Sequence, residues 1–207
     1  MRIALFPLNT VLFPGGVLPL RVFEARYMDM VRDCMREGSS FGVCLITQGA
    51  ETGKAAGSET VGCLASIIDW DMKQLGVLNI RCRGGQRFRV LERMVESNGL
   101  VRAEIELLDP DEDRPLAPEH APCADLLRRI IDDLRAQAAL QEEADDAGAG
   151  APFEPPYQLD SSTWVGNRIC EVLPVPLKAK QKLMELDDAY TRLSIITQYL
   201  KQHAVLK

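Results

Sequence analysis

The chain has no excess of positive charge: 24 Lys and Arg stand against 30 Asp and Glu, a formal balance of −6 with both histidines neutral. A protein whose main work is coating nucleic acid usually carries a clearly basic domain or stripe, so only a local patch could support that role here. Long apolar runs are missing too. None approaches the ~20 residues needed to cross a bilayer, and Met1-Arg2-Ile3 leads into a run broken by Pro7 with no cleavage-like segment. A cytoplasmic chain without membrane attachment is expected. Of the six cysteines the closest two, Cys34 and Cys44, lie ten positions apart, and no Cys-x-x-Cys occurs. Reduced thiols in a core fit this spacing better than disulfides or a zinc site.

Signatures of catalysis are equally scarce. A phosphate-cradling loop needs Gly-x4-Gly-Lys-Ser/Thr, yet the one Gly-Lys pair, Gly53-Lys54, is followed by Ala55. No Gly-x-Ser-x-Gly or paired Cys and His marks a nucleophile. The alternating Asp109, Asp111 and Asp113 resemble a calcium loop, but Arg114 occupies the turn position that needs Gly, and His120 stands where a bidentate Glu should. His120 and His203 read as isolated, solvated side chains. No cofactor, metal or catalytic residue is expected.

What is present is an ordinary globular composition, 46% hydrophobic and 26% charged. Short β-branched or apolar runs at 41–47, 61–68 and 77–82 predict strands. Tyr27, Met30, Val31, Cys34 and Met35 recur at helical spacing, with Gly38 as a left-handed stop, and predict one early helix. The Gly- and Ala-rich stretch 48–60 reads as a mobile surface loop. Turn chemistry at Gly84-Gly85 and Asn98-Gly99 predicts a three-stranded meander over 77–108. In that register Arg83 faces Arg87, and Leu78, Ile80, Cys82, Phe88, Val90, Ile105 and Leu107 share a core face. Arg81, Arg83, Arg87, Arg89 and Arg93 occupy the opposite face, with Arg93 opposite Glu104.

After Leu108 the run Asp109–Pro115 and Pro118–Pro122 cannot continue a strand, which predicts a linker at 109–122. Leu127, Ile130, Ile131, Leu134 and Ala138 then describe an amphipathic helix, and a second flexible break falls at 148–156. Ser161 or Ser162 can cap a helix burying Trp164, Val165, Ile169 and Val172; Pro176 opens another over 177–186; Ala189, Leu193, Ile196 and Leu200 give a last apolar stripe. The expected class is α+β, with a β-rich unit at 1–108 and a helical unit at 123–207.

The opening Ile3-Ala-Leu-Phe-Pro-Leu-Asn-Thr-Val-Leu-Phe-Pro-Gly-Gly-Val-Leu-Pro-Leu-Arg-Val-Phe-Glu-Ala-Arg-Tyr27 resembles the signature of the Lon protease N-terminal domain family. Phe41-Gly-Val-Cys-Leu-Ile46, Val61-Gly-Cys-Leu-Ala65, Gly85-Gln-Arg-Phe-Arg-Val-Leu91 and Leu183-Met-Glu-Leu-Asp-Asp…Arg192-Leu193 follow in the family's order. The resemblance implies a PUA-like β pseudo-barrel followed by a helical bundle, and a unit that recognises unfolded or degron-bearing polypeptides without cutting them. Longer members add an ATPase and a Ser-Lys peptidase module, neither of which this sequence matches.

The peptide-binding candidates are Phe13, Val17, Leu18, Arg21 and Phe23, in a loop held open by Pro and Gly, with Trp164 from the helical side. They would line an apolar groove between the β-rich half and the helices, where such grooves are common. Plugging of a barrel end is the bland alternative for these residues. Within Phe23-Glu24-Ala25-Arg26-Tyr27 an exposed Phe or Tyr could grip an extended peptide, but Glu24 fits a helix N-terminus and Tyr27 the core, which favours an architectural role. The rival function is an RNA-binding module using Arg81, Arg83, Arg87, Arg89 and Arg93, against which stand carboxylate neighbours and too few aromatics for base stacking. Partners are expected to be polypeptides and a separate protease, not nucleic acid or membrane; oligomeric state is left open.

Overall fold

The computed structural model describes residues 1–142 and 153–206. Strands β1 (Arg2–Leu8) and β2 (Val17–Val22) precede helix α1 (Ala25–Glu37). There follow β3 (Phe41–Gln48), the short β4 (Gly57–Ser58), β5 (Val61–Gln74), β6 (Val77–Val95) and β7 (Val101–Leu107). A 3-10 turn at Pro118–His120 then leads into α2 (Ala121–Glu142), α3 (Ser162–Val172), α4 (Leu177–Glu185) and α5 (Ala189–Gln202).

Local chemistry sets the helix ends. Tyr27, Met30, Val31 and Cys34 bury the stripe of α1, and Gly38 ends it at φ 62°, a left-handed conformation that carries no Cβ penalty in glycine. Ser161 Oγ accepts from Trp164 N at 3.0 Å to cap α3, and Asp188 Oδ2 accepts from Thr191 N at 2.7 Å to cap α5. Pro176 sits at the start of α4, where its missing N–H costs nothing.

The strands form one seven-stranded sheet in the order β1-β7-β6-β5-β3-β4, with β2 added to β6. Because β1 also pairs with β3, in parallel, the ring β1-β7-β6-β5-β3 closes on itself. All other pairings are antiparallel.

The predicted meander needs correction. Gly84-Gly85 makes no turn; β6 runs straight through it, and the hairpin closes instead at Leu75-Gly76, between paired Gln74 and Val77, with Gly76 at φ 81°. The glycine is there for close approach. Gly15 N donates to Gly84 O and Gly84 N to Gly16 O, both at 2.8 Å, and a Cβ on Gly84 would collide with the Phe13 carbonyl. Arg83 therefore faces Val17 and Ser66, and Arg87 faces Cys63. The second turn does occur at Asn98-Gly99 but is one residue longer than predicted: Glu96 N bonds Leu100 O, so Arg93 faces Ala103 while Glu104 faces Glu92 and Arg2.

The predicted core face is buried except for Leu107, but it serves two cores. Leu78, Ile80 and Cys82 pack under α1 with Tyr27, Met30 and Val31; Phe88, Val90 and Ile105 pack inside the ring with Ile3 and Leu5. A third core joins sheet to helices, with Val11, Phe13, Leu45 and Val61 against Leu127, Ile169, Leu193 and Ile196.

Residues 109–117 form neither helix nor strand, yet they are well anchored. Leu116 N donates to Asp160 O at 2.7 Å, and Asp111 bonds two buried arginines. His120 is not solvated as expected: it is buried, with Nδ1 3.2 Å from Thr197 Oγ1, and desolvation lowers its pKa. Of the predicted break, 148–152 lie outside the described residues, while Phe153 is buried in the third core. No described helix is long and apolar enough to cross a membrane, and no cluster of His, Cys, Asp and Glu among the described residues could hold a metal ion.

Candidate functional site

Two strand edges meet at an unfilled seam. β1 bonds β7 only over Arg2–Leu5 and β3 over Leu5–Leu8, so Phe6–Leu8 has no strand on its β7 side among the described residues. β2 pairs with β6 alone, leaving its other edge without a strand partner among the described residues. Pro19, which has no N–H to give a ladder, suits such an edge strand.

A cavity of about 330 Å³ lies there, lined by Phe6 and Leu8 of β1, Pro19–Val22 of β2, Phe23, Tyr27 and Glu51. Phe6 and Tyr27 stack at 3.9 Å between centroids, and the Arg26 guanidinium lies 4.5 Å from the Tyr27 ring. Burial pushes the Tyr27 phenol up, so it stays neutral and part of the apolar lining. The third wall is the loop after β3, fastened at two points: Asn9 N donates to Glu51 Oε1 at 2.6 Å and Gly53 N to Glu24 Oε2 at 3.4 Å. Glu24 also holds Arg26 at 3.0 Å, and Arg26 Nη1 donates to Gly99 O at 2.9 Å. Across Glu24 a more open cleft of about 550 Å³ continues past Arg26, Lys54 and Asn98.

Of the predicted peptide-contact residues, Arg21 and Phe23 line this cavity, and Phe23 is 57% exposed. Val17 and Leu18 lie half-buried at the far end of β2, which is a strand and not the open loop expected. Phe13 is a correction: it is fully buried in the core shared by sheet and helices, because Gly84 and the α3 side chains clamp its turn from both sides. Trp164 is half-buried on α3, edge-on to Tyr157 at 6.1 Å, and takes no part in this cavity. The turn before β2 is held by Arg168, which donates to Pro14 O at 2.8 Å and pairs with Glu171 at 2.9 Å.

The arginine face does not assemble as one free patch. Arg81 and Arg83 share the carboxylate of Glu154. Arg87 is 3% exposed, bonded to Asp111 and to the Met184 and Leu186 carbonyls, with its pKa lowered by desolvation. Arg93 donates to the Ser58 and Glu59 carbonyls, and only Arg89 projects without a bonded partner among the described residues.

The sequence does not point to Phe6, Leu8 or Glu51 as site residues. Tyr27 reads from sequence as core, which it is on its helix face, and nothing local signals that β1 ends facing the β2 edge.

The fold is a closed β ring with helices packed against one part of it, and the cavity lies at the seam between β1 and β2. The family model for the ATP-dependent protease La (LON) substrate-binding domain matches residues 2–202, and the chain belongs to that family. It is 26% identical over 96% of its length to the Lon protease of Anaeromyxobacter dehalogenans, covering 23% of that protein. A shorter match, 27% identical over 58% of this chain, is to protein cereblon of Gallus gallus. The chain thus spans about a quarter of the length of the curated relatives it matches. Among solved structures, the Lon N-terminal domain protein from Xanthomonas campestris superposes with a TM-score of 0.75 at 38% identity, covering 96% of this chain and 98% of that one. The N-terminal domain of the Mycobacterium avium complex Lon protease shares the fold at a TM-score of 0.62 and 13% identity, covering 98% of this chain and all of that one.

Proposed function

We propose that the chain binds extended segments of unfolded or degron-bearing polypeptide, without chemistry on them, by strand addition at the open edge of β2. The observation that carries this is the conjunction of an unpaired strand edge with an aromatic-floored cavity directly beside it. Main-chain hydrogen bonds to β2 would supply sequence-tolerant affinity, and the 330 Å³ cavity would take one apolar side chain of the guest. Phe23 and Arg21 are the contact residues, and Val17 and Leu18 extend the same edge. In this reading residues 1–108 form a PUA-like pseudo-barrel that does the binding. Residues 109–122 connect it to a helical bundle at 123–207, which steadies the turn leading into β2. The protein would act in the cytoplasm as a client binder or adaptor beside a separate protease.

The test is fluorescence anisotropy with a labelled, aromatic-rich unstructured peptide. Binding should survive moderate salt, weaken with Phe23→Asp, and fail when alternate guest amides are N-methylated to remove the strand-forming donors. Retention of full affinity by the N-methylated peptide would sink strand addition. Salt-sensitive gel shifts with RNA, lost on changing Arg89 and Arg83 to Glu, would favour the rival function.

A further inference from the structure

The free edge of β2 carries a fixed order of donors and acceptors. β2 and β6 pair over Val17–Val22 and Leu78–Arg83 with no shift of register. Gly84 N donates to Gly16 O, and Gly84 O accepts from Gly15 N, so Gly84 turns its backbone groups toward the β2 side. Such groups alternate sides along a strand, so Cys82, Ile80 and Leu78 also bond toward β2, where they face Leu18, Leu20 and Val22. The backbone groups of Val17, Pro19 and Arg21 are left on the outer edge. Pro19 costs the sheet no bond there. The edge thus offers a guest three carbonyls but N–H groups from Val17 and Arg21 alone, with a donor gap between them.

The two faces of β2 differ as well. Leu20 and Val22 pack with Phe6 and Tyr27, the floor of the cavity. Val22 is 1% exposed and already covered, whereas Leu20 is half-buried at the opening. Arg21 lies on the other face, exposed and in no ion pair among the described residues. The nearby carboxylates of Glu24 and Glu51 are committed to Arg26 and to Asn9 N, and Asn79, which faces Arg21 on β6, is bonded to Asp71.

Resting on the strand-addition reading above, we infer that β2 selects an antiparallel guest in which an acidic residue directly precedes a large apolar one. The acidic residue lies opposite Arg21 and the apolar one opposite Leu20. Residues directly opposite share a face, so the apolar side chain enters the cavity while the carboxylate stays beside the guanidinium. The antiparallel sense gives straight rather than slanted bonds and fixes the order of the pair along the guest. The third guest residue, opposite Pro19, gives its N–H to the Pro19 carbonyl and receives no donor for its own.

Fluorescence anisotropy with a labelled unstructured peptide holding one Glu-Phe pair tests this. It should bind about 2- to 5-fold tighter than the Lys-Phe version, and Arg21→Glu should invert that preference. The reversed order, Phe-Glu, should bind more weakly. Replacing the third residue's amide by an ester should weaken binding about 2- to 12-fold. An ester at the fourth residue should be silent in the wild type, because it alters only the carbonyl that faces Pro19. Pro19→Ala supplies the missing donor, so it should tighten binding and make that fourth ester costly. A parent peptide that does not bind removes strand addition and this inference together. Binding in which Glu-Phe, Phe-Glu and Lys-Phe are equal, or in which the fourth ester is already costly in the wild type, overturns the inference alone.

Discussion

Asp111 Oδ1 lies 2.5 Å from Arg87 Nη2, with both side chains 3% exposed. The other oxygen, Oδ2, meets Arg192 Nη1, and the two guanidiniums also bond the Leu183, Met184 and Leu186 carbonyls at the end of α4. One carboxylate from the connecting segment thus fastens β6 to α4 and α5. Among the described residues, its two arginine neighbours have no other acidic side chain bonded to them. Removing it leaves two buried cations uncompensated, so Asp111→Ala should lower stability by about 3–5 kcal/mol in urea unfolding. Asp113→Ala, which gives up a bond from Ser161 Oγ at a more exposed site, should cost about 1 kcal/mol.

The same residue shows where sequence reasoning stops. Asp111 read as one member of an acidic, proline-punctuated run, and a run of that kind looks like solvated linker whatever each carboxylate bonds. Helix α1 was legible because stripe, spacing and terminating Gly38 agree locally; the caps of α3 and α4 were legible for the same reason. The Gly84-Gly85 pair misled because glycine answers two different demands, a left-handed turn or a backbone crossing at close range. Only the position of Phe13–Gly16 across β6 tells them apart. The seam was half legible: Arg21 and Phe23 follow from the β2 segment itself. Phe6 and Glu51 reach it through pairings across the ring that no local pattern encodes.

Stability should fall as pH rises through the range between Glu171's ordinary and native ionisation. Burial at the end of α3 pushes this carboxyl from 4.5 up to about 7, against the pull of Arg168 and Lys180. Between those values the folded chain keeps a proton that the unfolded chain has lost, so unfolding free energy declines with pH and levels off above about 7. The full effect is roughly 3 kcal/mol. Glu171→Gln should match the wild type near pH 4.5, flatten the slope, and be the more stable protein near pH 8 in urea titrations. An unchanged slope would show that Glu171 ionises normally.

Thiol chemistry should be silent in the native state. All six cysteines are free and buried, and desolvation pushes Cys44, Cys63, Cys82 and Cys170 up to about 12, leaving almost no thiolate at neutral pH. An aromatic disulfide reagent should label none within minutes and all six once denaturant is added. Labelling rates below the transition should follow the unfolding equilibrium, because access requires opening of the core.

Phe13 and Phe23 separate folding from binding. Phe13, wholly enclosed among Val61, Leu45 and the α3 side chains, should cost about 3–5 kcal/mol when cut to Ala, since the cavity cannot collapse against a ring of fixed strands. Phe23 has more than half its surface in water, so Phe23→Ala should move stability by no more than about 0.5 kcal/mol. In the anisotropy assay the order reverses. Loss of the Phe23 ring from the cavity wall should weaken peptide binding by about 5- to 30-fold, the equivalent of 1–2 kcal/mol. Any folded fraction of Phe13→Ala should bind as the wild type does. Equal binding by Phe23→Ala and the wild type would move the polypeptide site away from the β1–β2 seam, whatever the stability data show.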